Sequence, residues 1–172
     1  MKRTIRGGVL CGLVFTFGIN FQQIGLVYTT AGKASFLTAL YIVFIPIIGL
    51  FYGKKINKKL QLCIVFAMIG TYLMSVKGSL SMNIGDLITI FGSIVFAIHI
   101  LMLSEFSKDT NAVLVSLIQF AVCGFFSLIA ALIFEGIEID AILKSYLAIL
   151  YVGILSSGVG FTIQLMALKE LD

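Results

Sequence analysis

Gly7 to Gly32 reads GGVLCGLVFTFGINFQQIGLVYTTAG, 26 residues without one charge. An α-helix needs ~17–25 apolar residues to cross the hydrocarbon of a bilayer, so this stretch alone suffices for one span. Working outward, the charge-free runs continue at Ala34–Gly53, Leu60–Val76, Leu87–Ser104, Thr110–Phe134 and Ser145–Leu168. Hydrophobic residues make up 60% of the chain and charged residues 12%, and mean hydropathy is +1.13. Soluble domains carry about a quarter charged residues. Transmembrane barrels need strands of about ten residues with alternating polarity, and that alternation is absent. The reading is an all-α polytopic membrane protein with six transmembrane helices, at about 7–30, 34–53, 60–76, 85–104, 111–134 and 145–168.

Lysine and arginine orient the spans. Lys2, Arg3, Arg6, Lys54, Lys55, Lys58, Lys59, Lys108 and Lys169 fall on one side, while Lys33, Lys77 and Lys144 fall on the other. Positive residues concentrate in the cytoplasm, so both termini are expected there, in a multi-pass protein of the plasma membrane. The net charge of +4 then reports topology, and no soluble basic surface exists to hold nucleic acid. The first apolar run is too long for a secretory signal and lacks a clear small-x-small cleavage site. Cys11, Cys63 and Cys123 occupy spans one, three and five with no CxxC or Cys/His spacing. Neither a zinc site nor a disulfide framework is indicated, and no cofactor is expected.

The chain contains a repeat. Gly18-Ile19-Asn20-Phe21 lies near the middle of span one, and Gly158-Val159-Gly160-Phe161 lies in the same place in span six, 140 residues later. Two apolar segments precede the second copy and none precedes the first; an apolar helix follows the first, while the second stops. The expectation is a repeat cut at both ends: residues 1–77 hold the end of one copy, 78–172 the start of the next. The matched helices are five spans apart, an odd number, so the copies run in opposite directions across the membrane. Inverted repeats recur in secondary transporters, with the binding site near the midplane.

The residues resemble the EamA-type permeases of the drug/metabolite transporter superfamily. The similarity runs from Asn20-Phe21 through Leu26-Val27-Tyr28-Thr29-Thr30-Ala31 and Ala34-Ser35-Phe36-Leu37 to Pro46, the single proline, and Gly53-Lys54-Lys55. It continues with Gly70-Thr71-Tyr72-Leu73, Gly85-Asp86-Leu87, Gly153 to Gly158 and Ala167-Leu168-Lys169. The resemblance implies two inverted five-helix repeats, of which this chain matches helices three to eight of ten. Lys54 stands where the family usually has an acid. It also implies a small-molecule substrate, alternating access, and a cavity built from spans one, two, four and six, with spans three and five peripheral. Completing both copies would take a second copy of the chain or helices supplied by another chain.

Helical geometry selects the residues able to line a cavity. Thr16, Asn20 and Gln23 lie within about 60° of one another on span one. Thr38 and Tyr41 share span two with Ala34 and Gly49, and Ser157 and Gln164 extend a seam from Gly153 through Gly160 on span six. Span five has a comparable line, Ser116, Gln119 and Cys123, which its peripheral place sets aside. Such residues also act as interhelical glue, through close packing and hydrogen bonds of ~1 kcal/mol. Asn20 and Gln23 point to the cavity, because two amides on one mid-membrane face are costly to bury unpaired. His99, on span four with Gly92 and Phe96, is placed either to accept a coupling proton or to donate one neutral hydrogen bond. Tyr28 is an interfacial aromatic or an exit residue. Pro46 removes a donor from Ile42 and kinks span two.

No carboxylate lies deep in any span, and Asp86 is expected only to complement a helix dipole. That absence argues against the small multidrug-resistance pumps, which depend on a membrane glutamate. No phosphate loop or nucleophile–base pair occurs, and a rhomboid-like protease would need its histidine after the serine, whereas His99 precedes Ser156 and Ser157. The functional expectation is a non-enzymatic secondary transporter of small metabolites in the direction of export. The alternative is a non-transporting membrane fragment or remnant of such a permease.

Overall fold

A computed structural model describes residues 1–53, 58–75, 82–108, 110–134, 136 and 138–170. Lys54, Lys55 and Lys77, used above to orient the spans, lie outside the described residues.

The elements are helical throughout. Helix α1 spans Lys2–Tyr28, α2 Ala31–Ala39, α3 Tyr41–Phe51, α4 Lys58–Ser75, α5 Ile84–Ser107, α6 Ala112–Phe134, α7 Ile139–Lys144, α8 Tyr146–Leu150 and α9 Phe161–Glu170, with a π-helical segment at Tyr151–Gly160 between the last two. Only helices satisfy every backbone group within one segment, which lipid demands. Five stretches of the described residues are long and apolar enough to cross a membrane: Lys2–Tyr28, Ala31–Phe51, Ile84–Phe106, Val113–Phe134 and Tyr146–Ala167. The third expected span lies in α4, Lys58–Ser75, which holds the apolar stretch Gln61–Gly70.

Span two is broken. The helix stops at Ala39 and restarts at Tyr41, with the Leu40 N–H bonded to the Leu37 carbonyl at 3.3 Å, an i→i+3 contact. Pro46 stands inside α3, and the break lies two residues before Ile42, the carbonyl that Pro46 leaves without its i+4 donor. Span six changes its winding instead. The Phe161 N–H bonds to the Ser156 carbonyl, five residues back, and Gly153, Gly158 and Gly160 lie within this wider turn. Segments of this kind occur disproportionately at functional sites.

The fold divides into two compact units, one of Met1–Thr16 with Met102–Asp172 and the other of Phe17–Leu101. In the first, Cys11, Leu103, Val115 and Leu165 form a buried cluster with Met102 and Phe106 against it. Phe15, Phe120 and Phe161 join α1, α6 and α9 edge to face, with ring centroids 5.3 to 5.7 Å apart. A Cβ on Gly8 would strike Ile118 at 2.7 Å, and one on Gly12 would reach Val122 at 2.8 Å. Numbers rise together on α1 and α6, so these helices are parallel.

In the second unit, a Cβ on Gly85 would lie 2.6 Å from the Gly25 carbonyl and 2.7 Å from Tyr28 Cβ. Further along, Gly18 meets Phe96, and Gly92 meets Phe21 and the Gly18 carbonyl. Here numbers rise on α1 as they fall on α5, so that pair is antiparallel. Both directions agree with spans that alternate across a membrane, one in which α1 opposes span four and runs with span five. Lipid supplies no hydrophobic force between helices, so close approach at glycine is a main source of contact.

Gly85→Ala should lower stability in detergent by about 1–3 kcal/mol, because the new methyl meets backbone that cannot swing aside. Gly124→Ala, with nothing within 4 Å of its Cβ position, should stay within about 0.5 kcal/mol of the parent. Thermal unfolding of the two purified variants checks the contrast.

Candidate functional site

In the unit Phe17–Leu101 the polar side chains are set by α1, α2 and α5. Gln22 Nε2 donates to Thr38 Oγ1 at 2.9 Å, tying α1 to α2. The sequence selected Gln23 of this adjacent pair; Gln23 is exposed, whereas Gln22 is half-buried. One residue is a ~100° rotation on a helix, enough to exchange the inward and outward amides. Asn20, Thr38 and Tyr41 are half-buried. His99 is fully buried within α5.

The residue that sequence reasoning undervalued is Asp86. Its carboxylate is wholly buried in the first turn of α5 and accepts three hydrogen bonds. Thr29 Oγ1 donates to Oδ1 at 2.7 Å, Lys33 Nζ to Oδ2 at 2.5 Å, and the Asn83 N–H to Oδ2 at 2.7 Å. Asn83 Oδ1 in turn accepts the Asp86 N–H at 2.9 Å, which makes Asn83 and Asp86 a reciprocal capping box. The dipole role expected of Asp86 is therefore present, with an ion pair added to it.

The pair gathers local sequence effects. Thr30 caps α2 by accepting the Lys33 N–H at 3.3 Å, which fixes the Lys33 backbone while its side chain reaches Asp86. The Lys33 side chain is 19% exposed and the Asp86 side chain 0%. Removing one partner of such a pair costs several kcal/mol, because it strands the other charge. The signal available in the sequence was a carboxylate three residues after Asn83, but its partners lie 53 and 57 residues away.

Beneath Asp86 on the same face of α5 lie Thr89 and Ser93, at 1% and 0% exposure. Their hydroxyls donate to carbonyls of their own helix, Thr89 to Gly85 at 2.8 Å and Ser93 to Ile90 at 2.7 Å. No other side chain is needed to satisfy them.

The unit Met1–Thr16 with Met102–Asp172 holds the remaining candidates. Thr16 Oγ1 donates to the Gly12 carbonyl at 2.7 Å and is half-buried, as are Ser157 in the π-helical segment and Gln164 in α9. Gln119, set aside on the sequence, is fully buried, and Ser116 nearly so. Helix α6 meets both α1 and α9 through Phe120, and Gln119 packs its backbone against Gly12. Among the described residues no group of three His, Cys, Asp or Glu side chains is placed to hold a metal ion.

An all-helical membrane chain with paired polar groups inside it invites comparison with known transporters. The profile of the EamA-like transporter family matches residues 2–76 and 83–172. The chain belongs to the EamA-like transporter family. The resemblance read from Asn20-Phe21, Pro46 and Gly85-Asp86-Leu87 is thus borne out, as is the all-α polytopic class. An uncharacterized transporter of Archaeoglobus fulgidus is 34% identical to this EamA-like chain over 115 residues, 66% of the chain and 37% of that protein. The chain thus spans little more than a third of the curated relative it matches. No solved structure matches it.

The Gln22–Thr38 bond is open to a double-mutant cycle. Gln22→Ala and Thr38→Ala should show a coupling energy of about 0.6 kcal/mol, typical of hydrogen bonds between membrane helices. Unfolding of the two single variants and the double variant in mild detergent measures it.

Proposed function

We propose that this chain serves a secondary transporter of small metabolites, exporting them by alternating access between inverted repeats. Membership of the EamA-like transporter family over residues 2–76 and 83–172 carries the reading. The gap between those stretches also supports a boundary at 77/78, with the end of one repeat before it and the start of the next after it. Transport requires no covalent step, and the polar groups described above are suited to binding and to helix contacts.

The residues assigned to the substrate path in the unit Phe17–Leu101 are Asn20, Gln23, Thr38, Tyr41 and His99. In the other unit they are Thr16, Ser157 and Gln164, with Pro46 of the unit Phe17–Leu101 as the kink that lets span two bend. His99 is the proposed proton acceptor, the one side chain here whose ordinary titration falls near neutral pH. The membrane is the plasma membrane, with both termini in the cytoplasm, as the lysine and arginine distribution favours. A second copy, or helices from another chain, completes the assembly.

Purified protein in proteoliposomes tests the reading against a panel of labelled small metabolites. Saturable counterflow of at least one class is expected, and its absence across the panel overturns the assignment. His99→Gln should abolish the pH dependence of net transport while preserving exchange. An unchanged pH profile returns His99 to a structural role.

A further inference from the structure

We propose that Lys33, Thr29 and Asp86 form a latch that closes one end of the α1–α2–α5 group and keeps the Thr89–Ser93 face of α5 from water. Three donors converge on a single buried carboxylate. Two of them, Thr29 Oγ1 and Lys33 Nζ, come from the corner between α1 and α2, far away in sequence. The third, the Asn83 N–H, belongs to the start of α5 itself. The corner and the start of α5 are thus joined by side-chain bonds to one group.

The packing beside the latch is made at glycine. Where α1 crosses α5 next to Asp86, the contact is Gly25 against Gly85, with Thr89 and the Tyr28 Cβ beside it. The atoms nearest these two positions are backbone carbonyls, Thr89 and Tyr28. The ion pair is the charged tie at this end.

The face behind the latch suits wetting. Asp86, Thr89 and Ser93 recur at i, i+3 and i+7, a single helical stripe, and all are buried. The two hydroxyls are satisfied by their own helix, so they hold no partner across the gap that would resist opening. Each retains acceptor capacity for water. With Lys33 withdrawn, its 19% exposed side chain has a short route to the aqueous phase, since long basic side chains extend to the interface.

The latch rests on the transport reading for its purpose, and the test reads accessibility instead. The background replaces Cys11, Cys63 and Cys123, and Ser93→Cys serves as the reporter for a membrane-impermeant maleimide. With Lys33 in place, labelling should be slow. In Lys33→Met it should rise about tenfold, the shift of a closed–open equilibrium expected from losing one tie. Lys33→Arg, which keeps the charge and the donors, should restore slow labelling.

A second reporter, Ser116→Cys in the other unit, separates opening from general loosening. An equal rise at both reporters overturns the latch, and so does an unchanged rate at Ser93→Cys in a folded Lys33→Met protein. If Lys33→Met exposes Ser93→Cys alone while the parent protein moves no metabolite, the latch stands and the transport reading fails.

Discussion

Close approach of α1 to its neighbours at glycine is the constraint on which the rest of the structure depends. Gly25 and Gly85 leave no room for a methyl between α1 and α5, and Gly8 and Gly12 leave none between α1 and α6. In water a core of large apolar side chains would drive such association. In lipid it does not, because the surrounding tails are equally apolar. The many exposed large hydrophobics, Phe17, Phe91, Leu117 and Phe126 among them, are thus the ordinary outer surface of a membrane helix rather than misplaced core. The small residues decide which helix faces meet, and in which direction.

That constraint explains the position of Asp86. At the end of α5, beside Gly85, the backbone of α1 comes near enough for Thr29 and Lys33 to reach a carboxylate in the next helix. A bulkier residue at position 25 or 85 would separate the helices and leave a buried charge without its donors, a condition costing several kcal/mol. The glycine contact and the ion pair are therefore one arrangement, in which steric fit permits the electrostatics and the electrostatics hold the end in place.

The fold was largely legible because lipid imposes a simple rule: charge-free runs of sufficient length become helices. All six runs form helices among the described residues, and the direction of α1 against α5 and α6 follows from strict alternation. The third run lies in α4, Lys58–Ser75. The site was less legible, for two physical reasons. A helix phase inferred from composition does not separate adjacent positions, and Gln22, which the sequence reading did not name, makes the bond to Thr38. The partners of Asp86 sit on another hairpin, and no local pattern encodes a contact across 53 residues. The π-helical winding of Tyr151–Gly160 had no local signature beyond its glycines.

Polar residues are the feature that separates a working membrane protein from a chain that merely inserts. Insertion needs only apolar length, and each buried polar group adds cost unless it is satisfied. Here α5 alone buries Asp86, Thr89, Ser93 and His99. The first three share one stripe, while His99 lies about 80–140° around the helix from them. A helix needing only a single anchoring contact would carry polarity on one side. The stripe carries the Asp86 tie to Thr29 and Lys33, while His99 is buried elsewhere on the same helix.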